Sequence, residues 1–385
     1  MRVAFYAPMK PPDHPVPSGD RRMARAFAAL LADLGHDVEL ACHLRSYDRD
    51  GDATRQQRLA NLGARFAGGL VQRYRRRRPE QRPDLWFTYH LYHKAPDWLG
   101  PIVSRALAIP YVVAEASIAG KQAIGPWAAG YRASRAAVAQ ADMVLAMTGQ
   151  DRPGLAEVVI EPNRLRPFPP FLDAQPFVVA ARERDGARAR LAVEWDLGQE
   201  RPWLLAVAMM RADVKLLSYR YLAAALLEVA DLDWQLLLVG DGEARREVTA
   251  LLAPFGDRVR LVGALPPAAL PEVYAAADLY VWPSCNEAYG MALLEAQAAG
   301  MPVVAGAEGG VPDIVTAGRS GLLTAPREPS ALAAAIRALL VDPTRRQAMG
   351  RAAQAGILAR HDAGIARGRL ADALRAIGVS SCASA

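Results

Sequence analysis

Apolar runs of four to six residues recur along the chain, separated by stretches whose apolar positions fall three and four apart. That alternation predicts strands alternating with helices. In the first half, strands are predicted over residues 2–7, 38–42, 84–88, 111–114, 143–147 and 158–162. Helices are predicted over 20–34 and over 56–74, the second with an apolar face at Leu59, Leu62, Phe66 and Leu70. Strand, helix and strand in that order form a βαβ unit and imply parallel pairing. Residues 163–177 carry Pro167, Pro169, Pro170 and Pro176 and read as a connection. The rhythm then restarts. Strands are predicted over 203–208, 236–239, 259–262, 279–281, 303–305 and 322–323, with helices over 216–230, 270–277 and 331–340 and a final helical region over 343–377. The predicted organisation is a doubly wound domain over 1–166, a linker over 167–177, a second such domain over 178–360, and a C-terminal helix and tail over 361–385 that packs back toward the first domain.

Composition fits two globular domains: 385 residues, 52% hydrophobic and 22% charged. No apolar run approaches the roughly 20 residues that span a bilayer. The opening MRVAFYAP enters a strand with no signal-peptide architecture. Cys42, Cys285 and Cys382 are far apart and odd in number, which speaks for a reducing cytoplasm rather than a disulfide framework. A net charge of +6 favours anionic partners.

The most informative stretch is residues 282–300, WPSCNEAYGMALLEAQAAG. A strand end, a tight loop and a helix follow one another, with Gly290 at the turn into the helix and Gly300 at its close. Such a loop aims free backbone N–H groups and a positive dipole end at whatever docks there, most naturally a phosphate. Glu287 and Glu295 flank it. An acid deep in a phosphate site would repel the ligand, so these two suit hydroxyls beside it, as a sugar supplies. Arg211 and Lys215 directly follow the strand over 203–208, where two cations can neutralise a diphosphate without a metal. Ser18-Gly19-Asp20 is another helix start, with Ser18 or Asp20 as its N-cap. Tyr89-His90-Leu91-Tyr92-His93-Lys94 lies at a strand's C-terminal end, where parallel sheets place ligands. No Cys or carboxylate stands at metal-site spacing from these histidines, so substrate contact or plain core and surface roles remain for them, and no metal is expected. Arg75, Arg76, Arg77 and Arg78 read either as a solvated helix end or as a patch for an anionic acceptor or membrane headgroups.

The segment over 282–300 resembles the E-x7-E motif of retaining glycosyltransferases of family 4, and the resemblance extends through most of the second half of the chain. It implies an α/β fold of the GT-B type, two Rossmann-like doubly wound parallel-sheet domains facing a cleft. It implies a retaining transfer of a hexose from a nucleotide sugar, in which Arg211 and Lys215 hold the diphosphate and Glu287 binds hydroxyls of the transferred sugar. Donor binding would extend to Gly19, Gly242, Gly263, Ala288, Tyr289, Gly290 and Met291, with Glu295 on the ribose. Acceptor contacts fall to His90, His93, Lys94 and Glu115. Relatives carry Gly-Gly where this chain has Ser18-Gly19, a glycine at Met210, and often a histidine where Glu115 or Ala116 stands. No cofactor, metal or nucleic acid is implied; a role in cell-envelope or polysaccharide synthesis is, in the cytoplasm or peripherally at the inner membrane face. Glycan, lipid-linked and small-metabolite acceptors are all open. The rivals are a non-catalytic sugar or nucleotide binder and a sugar-phosphate phosphorylase or epimerase on the same scaffold.

Overall fold

The computed structural model describes residues 1–16 and 18–379; Pro17 and Cys382 lie outside the described residues. The chain divides into two compact units. The first comprises Met1–Pro169 and the chain from Gly364, the second Pro170–Ala363.

Short runs of Val, Leu, Ala and aromatic residues supply the strands. In the first unit these are β1 (Arg2–Tyr6), β2 (Asp37–Leu40), β3 (Leu85–Leu91), β4 (Tyr111–Ala116), β5 (Met143–Ala146) and β6 (Leu165–Pro167). The second unit has β7 (Trp203–Val207), β8 (Gln235–Val239), β9 (Val259–Gly263), β10 (Leu279–Trp282), β11 (Val303–Gly306) and β12 (Gly321–Thr324). Helices α1 (Gly19–Asp33), α2 (Ala53–Arg76), α3 (Gly100–Leu107), α4 (Ala128–Gln140) and α5 (Arg152–Ala156) belong to the first unit. Those of the second are α6 (Gln175–Arg182), α7 (Arg184–Glu194), α8 (Val214–Leu227), α9 (Arg245–Leu252), α10 (Leu270–Ala276), α11 (Met291–Ala298), α12 (Val311–Ile314), α13 (Pro329–Leu340) and α14 (Pro343–Arg360). After them α15 (Ala363–Ala376) returns to the first unit.

Among the described residues each unit holds one six-stranded sheet. The orders are β2-β1-β3-β4-β5-β6 and β12-β11-β10-β7-β8-β9, and neighbouring strands pair in parallel throughout. Crossover helices cover both faces, so inner strands such as β4, β8 and β10 are buried end to end. The order reverses between β1 and β3 in the first sheet and between β7 and β10 in the second. Open parallel sheets bind ligands at the carboxyl ends of the strands flanking such a reversal.

Three sequence expectations need correction. Residues 158–162 are not a strand: Val158 and Val159 are buried after α5, and the sixth strand is β6, so the proline-rich connection begins inside the sheet. Pro167 is tolerated because β6 is an edge. The final helical region breaks between α14 and α15, where Leu172 N–H donates to the His361 carbonyl (3.0 Å) and Ala363 N–H to the Leu172 carbonyl (2.9 Å). The apolar face predicted for α2 is buried only in part, at Leu70 and half at Leu59. Leu62 and Phe66 are exposed, while Gln56, Gly63, Ala67, Leu70, Val71 and Tyr74 face inward. A Cβ on Gly63 would stand 2.3 Å from Trp98 Cβ, so small residues set the contact and the larger ones turn outward.

Candidate active site

In the second unit the residues after β7 and β10 converge at the switch point. Asp213 caps α8, its carboxylate accepting from Lys215 N–H at 2.9 Å, and this places Lys215 on the helix's first turn rather than in a free loop. Lys215 Nζ lies 2.5 Å from Glu287 Oε2, with both side chains more than four-fifths buried, and 5.6 Å from the Trp282 ring centre. The two residues assigned to phosphate and to sugar hydroxyls are therefore ion-paired across 72 positions of sequence. Arg211 Nε lies 3.3 Å from Asp213 Oδ2, with its side chain 42% exposed.

Between β10 and α11 the chain takes left-handed backbone angles at Ser284 (φ 58°), Asn286 (φ 50°) and Gly290 (φ 74°). Two of those are not glycine, an arrangement met most often at functional loops. Gly290 is the N-cap of α11, and no side chain caps that end. Ala288 is exposed, whereas Tyr289 is buried and Met291 half-buried. The first-turn amides and the dipole of α11 thus meet an anion without a competing side chain. Glu295, one turn further, is 2% exposed and sits among the apolar residues of α11.

Two close approaches hold these loops. A Cβ on Gly309 (φ 64°) would fall 1.8 Å from the Glu287 carbonyl oxygen, and Gly310 N–H donates to the Ala288 carbonyl at 2.7 Å. Gly242 packs against the segment bearing Arg211: a Cβ there would be 2.3 Å from the Met210 carbonyl, and Met210 N–H donates to the Asp241 carbonyl. Gly263 ends β9 at φ 78°.

In the first unit a second cluster forms around the corresponding reversal. Ser18 caps α1, its hydroxyl accepting from Arg21 N–H at 3.2 Å, and this leaves Asp20 on the first turn. Around Gly19 an added Cβ would meet nothing within 4 Å. His90 at the end of β3 and Glu115 near the end of β4 are both left-handed (φ 60° and 56°). His90 Nδ1 lies 3.2 Å from Asp20 Oδ1 and 3.5 Å from Glu115 Oε1. Burial alone would lower the imidazole pKa, but Glu115, Asp20 and Asp151 outweigh it and raise it to about 9, so His90 is a cation at neutral pH. Burial pushes the Glu115 carboxyl up, with His90 opposing. For Asp20 burial works the same way, yet the His90 imidazolium 3.2 Å away, with Lys10, holds it below the usual range.

His93 and Lys94 do not join that cluster. His93 meets the Trp127 ring edge-on at 5.7 Å, and Lys94 Nζ stands 4.3 Å over the same ring. Burial, then the charges of Lys94 and Lys121, lower the His93 pKa to about 4. Asp20 is the participant that sequence reasoning treated only as a possible cap; nothing local to the chain links it to residue 90 or 115. The arginines over 75–78 are not four equivalent free cations either. Arg77 pairs with Glu39 at 2.7 Å and lies over the Tyr74 ring, and Arg75 donates to the Ala106 carbonyl.

Two doubly wound parallel units in one chain are the GT-B architecture. Similarity to known proteins agrees with that. The description "Glycosyl transferase 4-like domain" matches residues 18–170 and "Glycosyl transferases group 1" matches residues 201–342. A D-inositol 3-phosphate glycosyltransferase of Catenulispora acidiphila is 33% identical over 315 residues, 77% of this chain and 72% of that protein. One from Kineococcus radiotolerans is 35% identical over 231 residues, covering 55% of this chain and 52% of the relative. The chain belongs to the glycosyltransferase family that these two domain descriptions, 4-like and group 1, define. Among solved structures, a sucrose-phosphate synthase from Thermosynechococcus elongatus superposes with a TM-score of 0.76 at 22% identity, over 98% of this chain and 99% of that one. The Anabaena protein HepE, solved with UDP-glucose, gives 0.72 at 18% identity, over 98% and 100%. At such identities the likeness is one of fold.

Proposed function

We propose that this enzyme transfers a hexose, with retention of anomeric configuration and without a metal, from a nucleoside diphosphate sugar to a small polyhydroxyl acceptor. The observation that carries the reading is the second unit's switch point, where Lys215, Arg211 and the uncapped end of α11 converge with Glu287 beside them. The bound diphosphate draws Lys215 away from Glu287, and Arg211 and the α11 amides complete its charge neutralisation. Glu287, released, accepts from hydroxyls of the sugar, and Glu295 from those of the ribose. The bond from the anomeric carbon to the phosphate oxygen breaks as the acceptor oxygen bonds on the same face. The acceptor's proton passes to the departing phosphate oxygen, so the products are a glycoside and the nucleoside diphosphate. Support for a uridine donor comes from the UDP-glucose complex of the Anabaena protein, and for a small acceptor from the relatives named for inositol 3-phosphate.

The test is a thermal-shift screen against UDP-, GDP- and ADP-sugars, followed by nucleotide release and NMR of the product anomer. Binding of at least one donor raises the melting temperature by mass action. No shift with any of them, or an inverted product, overturns the reading.

A peripheral contact with an anionic membrane is part of the proposal, on a specific feature of α2. The helix carries Arg55, Arg58, Arg65, Arg73, Arg75 and Arg76 and no acid. Its exposed Leu62 and Phe66 border a groove of about 780 Å³, also lined by Leu44, Arg65 and Arg73. Arg55 lies 3.9 Å from Asp48 and Arg73 3.7 Å from Glu39, so those two contribute less than the about 1 kcal/mol of a cation without a carboxylate partner near an anionic surface. Co-sedimentation with phosphatidylserine vesicles at moderate salt checks it, and replacing Leu62 and Phe66 with serine should weaken it. No wild-type binding removes the membrane from the proposal and leaves the transferase reading intact.

A further inference from the structure

We propose that Glu308 and Arg327 act together as positioning residues: their ion pair holds the loop that carries Glu287 in place when Lys215 leaves Glu287 for the diphosphate. This rests on the glycosyl-transfer reading and adds to it what keeps the sugar-binding carboxylate aimed during transfer.

The need for such a support comes from the site itself. In the ligand-free protein the Glu287 side chain is fixed by Lys215 at 2.5 Å. Once the ammonium turns to the donor, the backbone of residues 283–288 has to hold the carboxylate by other means. That backbone includes Ser284 and Asn286 at left-handed angles, which residues other than glycine seldom keep unaided.

The support is layered. Strands β10, β11 and β12 are neighbours, so the loops that follow them lie side by side at one sheet edge. The loop after β11 backs the Glu287 loop closely: an added Cβ on Gly306 would stand 2.3 Å from the Pro283 carbonyl oxygen, and one on Gly309 1.8 Å from that of Glu287. Glu308 lies between those two glycines. Arg327, from the loop after β12, donates to it through Nη2 to Oε1 at 2.8 Å and through Nε to Oε2 at 3.3 Å, a fork that fixes the plane of the carboxylate. Arg327 holds the Glu308 carboxyl below the usual range; burial opposes, and the backbone N–H of Asn286 adds to the lowering. Glu308 therefore faces the Glu287 loop on one side and the loop after β12 on the other. The Ala307 N–H, donating to the Thr324 carbonyl at 2.9 Å, ties the two outer loops through their backbones as well.

Arg327 itself sits at φ 60°, where glycine would be at ease and a long side chain is strained. Half of its side chain is exposed, so the pair adds little to stability. A strained residue with so small a return in stability is explained by what its ion pair holds, the loop that aims Glu287.

The experiment follows nucleotide release without acceptor from UDP-glucose, GDP-mannose and ADP-glucose, binding of UDP, GDP and ADP, and melting temperature. The proteins are the wild type, Arg327→Gly, Arg327→Lys, Glu308→Ala and the double variant of Glu308→Ala with Arg327→Gly. Arg327→Gly removes the fork and relieves the backbone, so turnover should fall about tenfold or more. Its melting temperature should drop by no more than about 2 °C, and nucleoside diphosphate affinity should stay within about threefold. Arg327→Lys keeps the charge and should lose less turnover. Glu308→Ala should lose at least as much as Arg327→Gly, and the double variant no more than about twofold beyond it, because the two residues act as one unit. Should Glu308→Ala fail to fold, Arg327→Gly and Arg327→Lys carry the test. Turnover of Arg327→Gly within about threefold of wild type, a loss that tracks melting temperature or nucleoside diphosphate binding, or additive losses in the double variant overturns the positioning role and leaves the donor reading intact. A wild type that neither binds nor cleaves any of the three removes the donor reading, and this inference with it.

Discussion

Replacing Lys215 with alanine perturbs two things at once, and the structure allows them to be separated. In the ligand-free protein the ammonium sits 2.5 Å from Glu287 Oε2, with 15% and 18% of the two side chains exposed. Removing one partner of a fully buried pair costs about 3–5 kcal/mol, and an exposed pair contributes about 1 kcal/mol or less. At this partial burial the loss should be about 2 kcal/mol, or roughly 4–8 °C of melting temperature for a unit of this size. Sequence alone sets Lys215 between the strand over 203–208 and the helix over 216–230, with no partner to lose; the pair with Glu287 adds the stability term. Turnover should fall about a hundredfold or more, because a charged contact to the developing diphosphate is lost. Adding Glu287→Gln to Lys215→Ala should recover part of the melting temperature, since no uncompensated carboxylate remains, without recovering turnover. Calorimetry and nucleotide release on the wild type, both single variants and the double variant read the cycle. Turnover of Lys215→Ala within fivefold of wild type would refute the diphosphate role. An unchanged melting temperature in that variant would refute the ion pair.

The His90 pKa of about 9 against about 6.5 unfolded means the folded state binds the proton more tightly, so this stabilisation is complete below pH 6.5 and is lost as pH rises through 9. Melting temperature should decline over that window in the wild type and decline less in His90→Gln; equal slopes would count against the cluster. His93, lowered to about 4, works in the other direction, its contribution being lost as pH falls from 6.5 toward 4, and His93→Gln should flatten the acid side of the same profile. Gly309→Ala forces a Cβ against the Glu287 carbonyl at a φ of 64°, so donor binding should weaken at least tenfold with a lower melting temperature; wild-type donor affinity would show that the loop tolerates the shift. Excess EDTA should leave turnover within twofold, and loss restored by Mn²⁺ or Mg²⁺ would mean that a metal, not Arg211, Lys215 and α11, neutralises the leaving group.

Much of the fold was legible because its signals are local. The βα rhythm rests on apolar runs and periods a few residues long, and the turn into α11 on Gly290 and its neighbours. Even the loops that carry Arg211 and Glu287 follow from their place after strands. What the sequence left undetermined depends on which strands become neighbours. Strand order brings β7 beside β10, and only then do Lys215 and Glu287, 72 residues apart, become an ion pair. Strand order likewise sets β3 between β1 and β4, so that Asp20, His90 and Glu115 share one edge, while His93 and Lys94, a few residues on, turn to Trp127. The α2 face shows the same limit at the scale of packing. Leu59, Leu62, Phe66 and Leu70 keep helical period, yet Gly63 faces the core because the helix there lies too close to Trp98 for a larger side chain, and Leu62 and Phe66 are left outside. Periodicity measures how apolar a face is; how near the next element lies decides which face is buried, and that distance exists only in the folded chain.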